Sequence, residues 1–553
     1  MLLKSITRRG LIALLLLLVV VPLSAQNLPP SQTLGIPMRD GKKMATDLYL
    51  PAGQGKFPVI LVRTPYGKQG VAGFGIDGVK HGYAVVAQDT RGRAASEGEN
   101  LPFIGDGWWE GHQDGLDTLE WLVKQPWCNG KIGTWGGSAL GITQLGMAGT
   151  GTKLLSAQHI VVGAPNFYPY LTFPGGVFKK AMIEDWLTAT KHEPNALQLW
   201  AAHTTFDSFW KQFDLNSRWN RVHAPAVHLG GWYDIFGQGT IDSFVGYQTK
   251  GGEGARGKQV LVMGPWTHGV MQNKAGELTF RNGNRPPNKV ADTWLWFDYH
   301  LKGIQNDFAE MPAVTYYVMG DASDSNAPGN VWRTANQWPP MPTKATPLYL
   351  AQEKRLSLVK PKQVANFPYT YDPASPTPTA GGPQLTIPSG AVEQSKVESH
   401  SGVVVFTSDV LTEPLEVTGR VRAKLWVSST APDTDFTVKL CDVYPDGKSY
   451  NICEGVIRAR FRKGFEREVF LTPGEIVPVE IDLWSTSIIF NKGHRLRVQV
   501  ASSSFPGYDP NPNTGAGFRA NAEKRTAQNT LYTGSKYPSH ILLPIMQGIL
   551  IDD

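Results

Sequence analysis

The run Lys131-Ile-Gly-Thr-Trp-Gly-Gly-Ser-Ala-Leu-Gly141 carries the strongest chemical signal in the chain. A short apolar strand ends in two glycines, Ser138 follows, and a helix of small residues begins. A strand, sharp turn and helix in that order present a serine hydroxyl at the head of a cleft, the nucleophile elbow. The same turn aims the N–H of Ala139 into that space, with the helix N-terminus behind it. The common elbow has glycine two residues after the serine; here Leu140 stands there and Gly141 comes next. Read alone, Gly-Gly-Ser before a helix is also an ordinary N-cap.

A serine nucleophile needs a base and an acid to orient it, each just past a strand of the same sheet. Behind an elbow of this type the chain order is serine, acid, histidine. The next strand-end carboxylate is Asp234, in His228-Leu-Gly-Gly-Trp-Tyr-Asp-Ile-Phe236. The next strand-end histidine is His268, in Val262-Met-Gly-Pro-Trp-Thr-His-Gly269. Singly, Asp234 reads equally well as a helix N-cap and His268 as a satisfied loop histidine. As an ordered set, Ser138, Asp234 and His268 read as a catalytic triad. Trp232, Phe236 and Trp266 flank its members and are candidates for lining an acyl pocket. There is no CxxC, no HExxH and no paired histidine on a helix face, so no metal or other cofactor is expected. Asp433, Asp435, Asp442 and Asp446 lack the ligand spacing of a calcium loop and read as strand-end turns.

The elements that must hold these residues follow from hydrophobic patterning. Residues 58–62 and 83–87 are short continuous apolar runs, which suit strands buried on both faces of a parallel sheet. Residues 46–50 alternate as a half-buried strand. Residues 114–124 carry Leu116, Leu119, Leu122 and Val123 on one helical stripe. The pattern resumes at 226–230 and 259–263, and the alternation argues an α/β fold. Residues 166–222 are rich in aromatic side chains, Trp186, Trp200 and Trp210 among them, and read as irregular helices inserted over the carboxyl edge of the sheet. The Pro-rich stretch 338–347 marks a boundary. Beyond it, runs such as 402–406, 420–427, 436–440 and 496–500 predict an all-β sandwich or jelly roll.

Composition sets the outer limits. The chain has 553 residues, 41% hydrophobic and 18% charged, with 59 Gly, 40 Pro and 17 Trp. That excludes a disordered tail, a coiled coil or a collagen. The net charge of +6 comes without a dense Lys/Arg run, so no nucleic-acid partner is expected. Lys4, Arg8 and Arg9 precede an uncharged stretch, 11–21, and then Pro22-Leu-Ser-Ala25. This is the layout of a signal peptide cleaved after Ala25. The stretch falls short of the roughly 20 apolar residues that span a bilayer, so no stable membrane insertion is expected after cleavage. The arginine pair fits twin-arginine and general export alike. Export implies a periplasmic or secreted protein in an oxidising compartment. Cys441 and Cys453 lie on neighbouring strand-like runs, and a disulfide between them depends on geometry that spacing does not fix.

Taken together the motifs resemble the cocaine esterase (CocE/NonD) family of α/β-hydrolases, which joins X-Pro dipeptidyl-peptidase-like hydrolases and α-amino acid ester hydrolases. The shared text includes Met38-Arg-Asp-Gly41, Arg63-Thr-Pro-Tyr66, Asp89-Thr-Arg-Gly-Arg93, Gly136-Gly-Ser138, Gly231-Trp-Tyr-Asp234, Gly264-Pro-Trp-Thr-His268 and, further on, Asp433-Thr-Asp-Phe436 and Ser503-Ser-Phe-Pro506. The resemblance implies a signal peptide over 1–25, a hydrolase domain over 26–340 with a helical cap at about 166–222, and a jelly-roll domain over 346–553. It implies Ser138 as nucleophile, His268 as base, Asp234 as orienting acid, and an oxyanion hole made by the Tyr66 hydroxyl and the Ala139 N–H.

Three departures stand out. Ala139 occupies a place that is often tyrosine. The carboxylates that hold a substrate ammonium in amino acid ester hydrolases are replaced by Ala139, Leu140, Ile235, Phe236 and Gly237. The insertion before Asp234 is short, which implies a reduced cap and a more open cleft. The expected activity is that of an exported serine esterase on small esters with an apolar or aromatic acyl group. The competing readings are an amidase or β-lactam side-chain acylase, an X-Pro dipeptidyl peptidase, and a carbohydrate-binding protein with an inactive hydrolase domain. The partner is a small-molecule ester or amide, and a homo-oligomer is compatible with the sequence. Asp89, Arg91 and Arg93 read as loop locks, and His112, His203, His223 and His300 as packing or surface groups.

Overall fold

Short apolar segments pair into one ten-stranded sheet that carries the elbow near its middle. The computed structural model describes residues 30–108, 111–520 and 523–547. The expected signal peptide and its cleavage site lie outside them. In chain order the strands are β1 (Gln32–Pro37), β2 (Lys43–Tyr49), β3 (Phe57–Thr64), β4 (Ala84–Asp89), β5 (Cys128–Gly137), β6 (Leu155–Val161), β7 (Ala226–Gly231) and β8 (Val260–Gly264), followed by Val314–Val318 and Val331–Ala335. Their spatial order is β1-β2-β4-β3-β5-β6-β7-β8 and then the last two. From β4 through Val314–Val318 every pairing is parallel. Parallel strands need crossover helices on both faces. Those are α1 (Ala72–Lys80), α2 (Asp114–Leu122), α3 (Ala139–Gly149) and, after the next three helices, α7 (Gly237–Lys250).

The central strands are buried on both faces, as their unbroken apolar runs predict. β2 departs from the half-buried reading: Met44 through Tyr49 are all buried, because α1 lies against one face at Tyr49 and the core containing Leu119 and Leu122 of α2 covers the other at Leu48. β6 carries no clear sequence signal, since Gln158 and His159 interrupt its apolar residues, yet it pairs with both β5 and β7.

Between β6 and β7 the chain forms only helical turns, including α4 (Lys180–Ala189), α5 (Ala196–Ala201) and α6 (Ser208–Lys211). Their core is aromatic, with Phe167, Phe173, Phe178, Trp200 and Trp210 all buried. Among the described residues no helix is long and apolar enough to cross a membrane.

The C-terminal region is all β. One sheet runs Leu356–Ser357, Thr343–Leu350, His540–Met546, Leu415–Ser429, Ala527–Thr533 and Ala365–Tyr371, with Val477–Phe490 also paired to Leu415–Ser429. A second sheet runs Val404–Thr407, Arg495–Ala501, Asp435–Val443 and Ser449–Arg458. The Pro-rich stretch is not a bare linker, because Thr343 already begins a strand. One apolar core continues from this region into the α/β sheet and includes Trp232, Tyr233 and Leu261. The disulfide does not form. A register shift places Cys441 opposite Asn451 and Cys453 opposite Leu440, and both thiols are free and buried.

Candidate active site

The elbow is built by close approach. Gly136 has φ 141°, and a Cβ there would sit 2.5 Å from the Leu140 Cβ. Ser138 takes φ 59° and ψ −123°, a conformation essentially reserved for glycine and costing roughly 1–3 kcal/mol. Its N–H donates to the Val161 carbonyl of β6 at 3.0 Å, and its carbonyl accepts from Gly141 and Ile142. Gly141 explains the variant spacing: a Cβ there would meet the Val161 oxygen at 3.0 Å and the Gly163 Cα at 3.3 Å. Glycine at that position lets α3 lie close against β6. Ala139 is the first residue of α3, so its N–H has no acceptor within the helix.

Asp234 and His268, the expected acid and base, come from neighbouring loops that are bonded to each other. After β7, the Trp232 N–H donates to the Gly264 carbonyl and the Tyr233 N–H to the Trp266 carbonyl, both at 2.9 Å. Asp234 is fully buried, and its Oδ2 accepts from the Phe236 N–H at 2.9 Å. Its Oδ1 meets His268 Nδ1 at 2.6 Å, and His268 Nε2 meets Ser138 Oγ at 2.8 Å. The Phe236 ring stands edge-on to the imidazole at 5.7 Å. The β region braces this loop. The Tyr233 hydroxyl donates to the Asn451 carbonyl at 3.2 Å, and Gln238 on α7 accepts from the Ser485 N–H at 2.8 Å.

Tyr66 follows β3. Its N–H donates to Thr64 Oγ1, and Arg93 holds the preceding Pro65 carbonyl at 2.9 Å. Burial pushes the Tyr66 phenol pKa up, opposed by the Trp186 N–H and the Ser138 hydroxyl beside it. Tyr66, Ser138, Ala139 and Phe236 face one cleft of about 310 Å³, open mouth included. Its walls are Leu171, Met182, Ile183 and Trp186 from the helical segment and Leu385 from the β region. Every residue lining it is uncharged. Ala139, Ile235 and Phe236, at the places where ammonium-holding carboxylates were sought, are part of that lining.

Two expected pocket residues are elsewhere. Trp232 packs against Trp338 in the core shared with the β region and donates to the Tyr317 carbonyl at 2.8 Å. Trp266 is fully buried against Trp332 and donates to the Gly283 carbonyl at 2.9 Å. Both are backbone neighbours of the triad loops, but their side chains leave on the far side from the cleft. The walls they were expected to supply come from Met182, Ile183 and Trp186, whose helical spacing on α4 signals one shared face. Leu385 had no sequence signal, being a loop residue far along the chain.

Arg91 pairs with Asp114 and Asp40, at 2.6 and 2.7 Å. Asp89 accepts from the Lys68 N–H at 2.6 Å. Arg93 locks loops through carbonyls rather than carboxylates. Asp433, Asp435, Asp442 and Asp446 are taken by Arg460, Arg458, His494 and Lys448 respectively.

Residues 40–195 and 179–270 match the X-Pro dipeptidyl-peptidase (S15 family) model, and residues 306–542 match the X-Pro dipeptidyl-peptidase C-terminal non-catalytic domain. The chain is 34% identical to the cocaine esterase of Rhodococcus sp. (strain MB1 Bresler), over 93% of this chain and 98% of that protein. The chain belongs to the cocaine esterase (CocE/NonD) family. This family member is a serine ester hydrolase with an α/β-hydrolase-like fold and a C-terminal all-β domain. Among solved structures it is similar to an aminopeptidase from a marine sediment Thaumarchaeota archaeon, with TM-score 0.79 and 26% identity over 93% of this chain and 96% of the other. It is similar to an α-amino acid ester hydrolase, with TM-score 0.78 and 25% identity over 95% and 98%. It shares its fold with a CocE/NonD family hydrolase from Staphylococcus aureus, with TM-score 0.73 and 23% identity over 93% of each chain.

Proposed function

We propose that this protein is an exported esterase in which Ser138 attacks small esters carrying an apolar or aromatic acyl group. The observation that carries the reading is the unbroken chain from Asp234 Oδ1 through His268 to Ser138 Oγ, at 2.6 and 2.8 Å, at the head of an apolar cleft. His268 takes the serine proton as Oγ attacks the acyl carbonyl. Asp234 holds Nδ1 protonated and stabilises the imidazolium that forms. The Tyr66 hydroxyl and the Ala139 N–H stabilise the oxyanion, a contribution typically of about 2.7–4 kcal/mol per donor. The alcohol leaves with the proton from His268, and water resolves the acyl-enzyme by the same route. The helical segment serves as a cap over the acyl group, and the β region is a jelly roll that supplies its remaining wall through Leu385.

An uncharged lining supports small apolar acyl groups over substrates with a free ammonium, because nothing in it offsets desolvation of that charge. This sets the protein apart in substrate from the aminopeptidase and α-amino acid ester hydrolase that it resembles in structure. The test is labelling by a fluorophosphonate probe beside Ser138→Ala, then turnover of an ester and an amide of one acyl group. Labelling that persists in Ser138→Ala refutes the assignment. Preference for a dipeptidyl anilide with a free N-terminus refutes the acyl-group reading. Export is tested by N-terminal sequencing of protein recovered outside the cytoplasm, with Gln26 expected first.

A further inference from the structure

Trp186 does more than wall the cleft. Its indole Nε1 lies 3.1 Å from the Tyr66 hydroxyl oxygen. An indole N–H only donates, so in this pair the phenol oxygen must accept. The phenol keeps one proton to give. A phenolic O–H lies near the plane of its ring and so has two favoured directions. The Trp186 N–H occupies one side of the oxygen, and the other polar neighbour is the Ser138 hydroxyl. Donation into the phenol oxygen also polarises its O–H and makes it a stronger donor.

The pair is held at fixed spacing from both ends. The Trp186 ring is stacked on Phe103 at 5.7 Å with 2° between the planes, and His192 tilts against it at 4.8 Å. Burial pushes His192 down to about 3, and its Nδ1 faces Thr190 Oγ1 at 2.6 Å, so the ring packed on Trp186 is neutral. Arg93 clamps the two segments together. Its Nε donates to the Pro65 carbonyl beside Tyr66, and its guanidinium also donates to the Thr190 and Lys191 carbonyls just past α4. Trp186 also lines a second hollow, with Arg91, Asp106 and His192, on the other side from the cleft.

We propose that Trp186 is a positioning residue of the oxyanion hole, directing the Tyr66 hydroxyl proton at the site where negative charge develops, with Arg93 setting the spacing. This rests on reading Tyr66 as an oxyanion donor. A donor that acts only on the transition state changes kcat and leaves KM nearly alone.

The experiment is a double-mutant cycle on one ester substrate. Trp186→Phe keeps an aromatic wall against Phe103 and removes the N–H. It is expected to lower kcat by about tenfold, a fraction of what losing a whole donor costs, with KM changed less than about twofold. In a Tyr66→Phe background the same substitution is expected to leave kcat unchanged. Equal losses in both backgrounds would show that Trp186 acts only as a wall and would overturn the proposal. A Tyr66→Phe variant with undiminished kcat would remove the donor reading itself, a separate and recognisable failure. If Trp186→Phe does not fold, Arg93→Gln tests the clamp in the same two backgrounds with the same opposed outcomes.

Discussion

Replacing Asp234 by asparagine keeps the shape of the side chain and removes one of its two acceptors. Each oxygen now has a fixed task. Oδ2 accepts from the Phe236 N–H at 2.9 Å, and Oδ1 faces His268 Nδ1 at 2.6 Å. An asparagine has one oxygen to share between them. The backbone N–H cannot turn, whereas the imidazole can change tautomer. If the amide NH2 faced Phe236, two donors would confront each other in a fully buried site. That arrangement costs about 1–3 kcal/mol, a bias of roughly 5- to 150-fold against it. The oxygen therefore goes to Phe236, and the NH2 donates to Nδ1. His268 then carries its proton on Nε2, pointing at Ser138 Oγ, and cannot take the serine proton. With the lost stabilisation of the imidazolium, the fall in kcat is expected to reach about four orders of magnitude. The assay is kcat on an activated aryl ester, beside fluorophosphonate labelling rates and a thermal melt to confirm the fold. A variant within tenfold of the parent enzyme, its activity still abolished by Ser138→Ala, would refute the role given to Asp234.

Relief of the elbow's strain should make Ser138→Gly more stable than Ser138→Ala by about 1 kcal/mol, after allowing for glycine's entropy, as read by urea unfolding. Gly141→Ala places a methyl 3.0 Å from the Val161 oxygen. It is expected to cost about 1–3 kcal/mol by the same measurement and to lower activity by displacing Ser138. Burial of Lys179, opposed by Asp234 and Glu454, pushes its pKa down to about 8, and its Nζ has no hydrogen-bond partner. A lowered lysine destabilises the fold fully below pH 8, and stability rises with pH from there to the unfolded value near 10.4. Lys179→Met should flatten that rise and stabilise the protein at pH 7 by about 3 kcal/mol, which melts at pH 7 and pH 10 would show. Leu385→Ala should shift the ratio of kcat/KM values toward a bulkier acyl group by at least about tenfold, read on a homologous ester series.

The candidate triad could be picked out because strand-end position and chain order are sequence properties, and Ser138, His268 and Asp234 come within hydrogen-bond distance in the structure. Apolar runs disclosed β3, β4 and β8, because a doubly buried strand has no polar face to confuse the pattern, and β7 was read in spite of His228. β6 escaped because Gln158 and His159 point into packed space between helices, where Gln158 bonds Thr134 and the Gln144 carbonyl. The direction of a loop side chain is set by neighbours that are distant in sequence. Trp232 and Trp266 were misplaced on that account, for their partners Tyr317, Trp338 and Trp332 lie in the two outer strands beyond β8 and in the boundary stretch. Leu385 and the Trp186–Tyr66 bond belong to the same class. The cysteine pair failed on register: Cys453 lies opposite Leu440 rather than Cys441, and cross-strand register is a detail that composition does not record.

The strand Val314–Val318 pairs in parallel with β8, the strand that leads to His268. One residue later the chain is already bonded to the β region: the Met319 N–H donates to the Ser487 carbonyl, and the Ile489 N–H to the Met319 carbonyl. A single ribbon of backbone thus belongs to both halves, and the match to the C-terminal domain, beginning at residue 306, includes it. A chimera that takes everything from residue 306 onward from a relative would therefore import the two outer strands of the sheet, one of them paired with β8, together with the proposed cleft wall at Leu385. On the proposed reading the two halves are not independent cassettes: an exchange at that seam moves the cleft wall at Leu385 and the strand beside the His268 loop together.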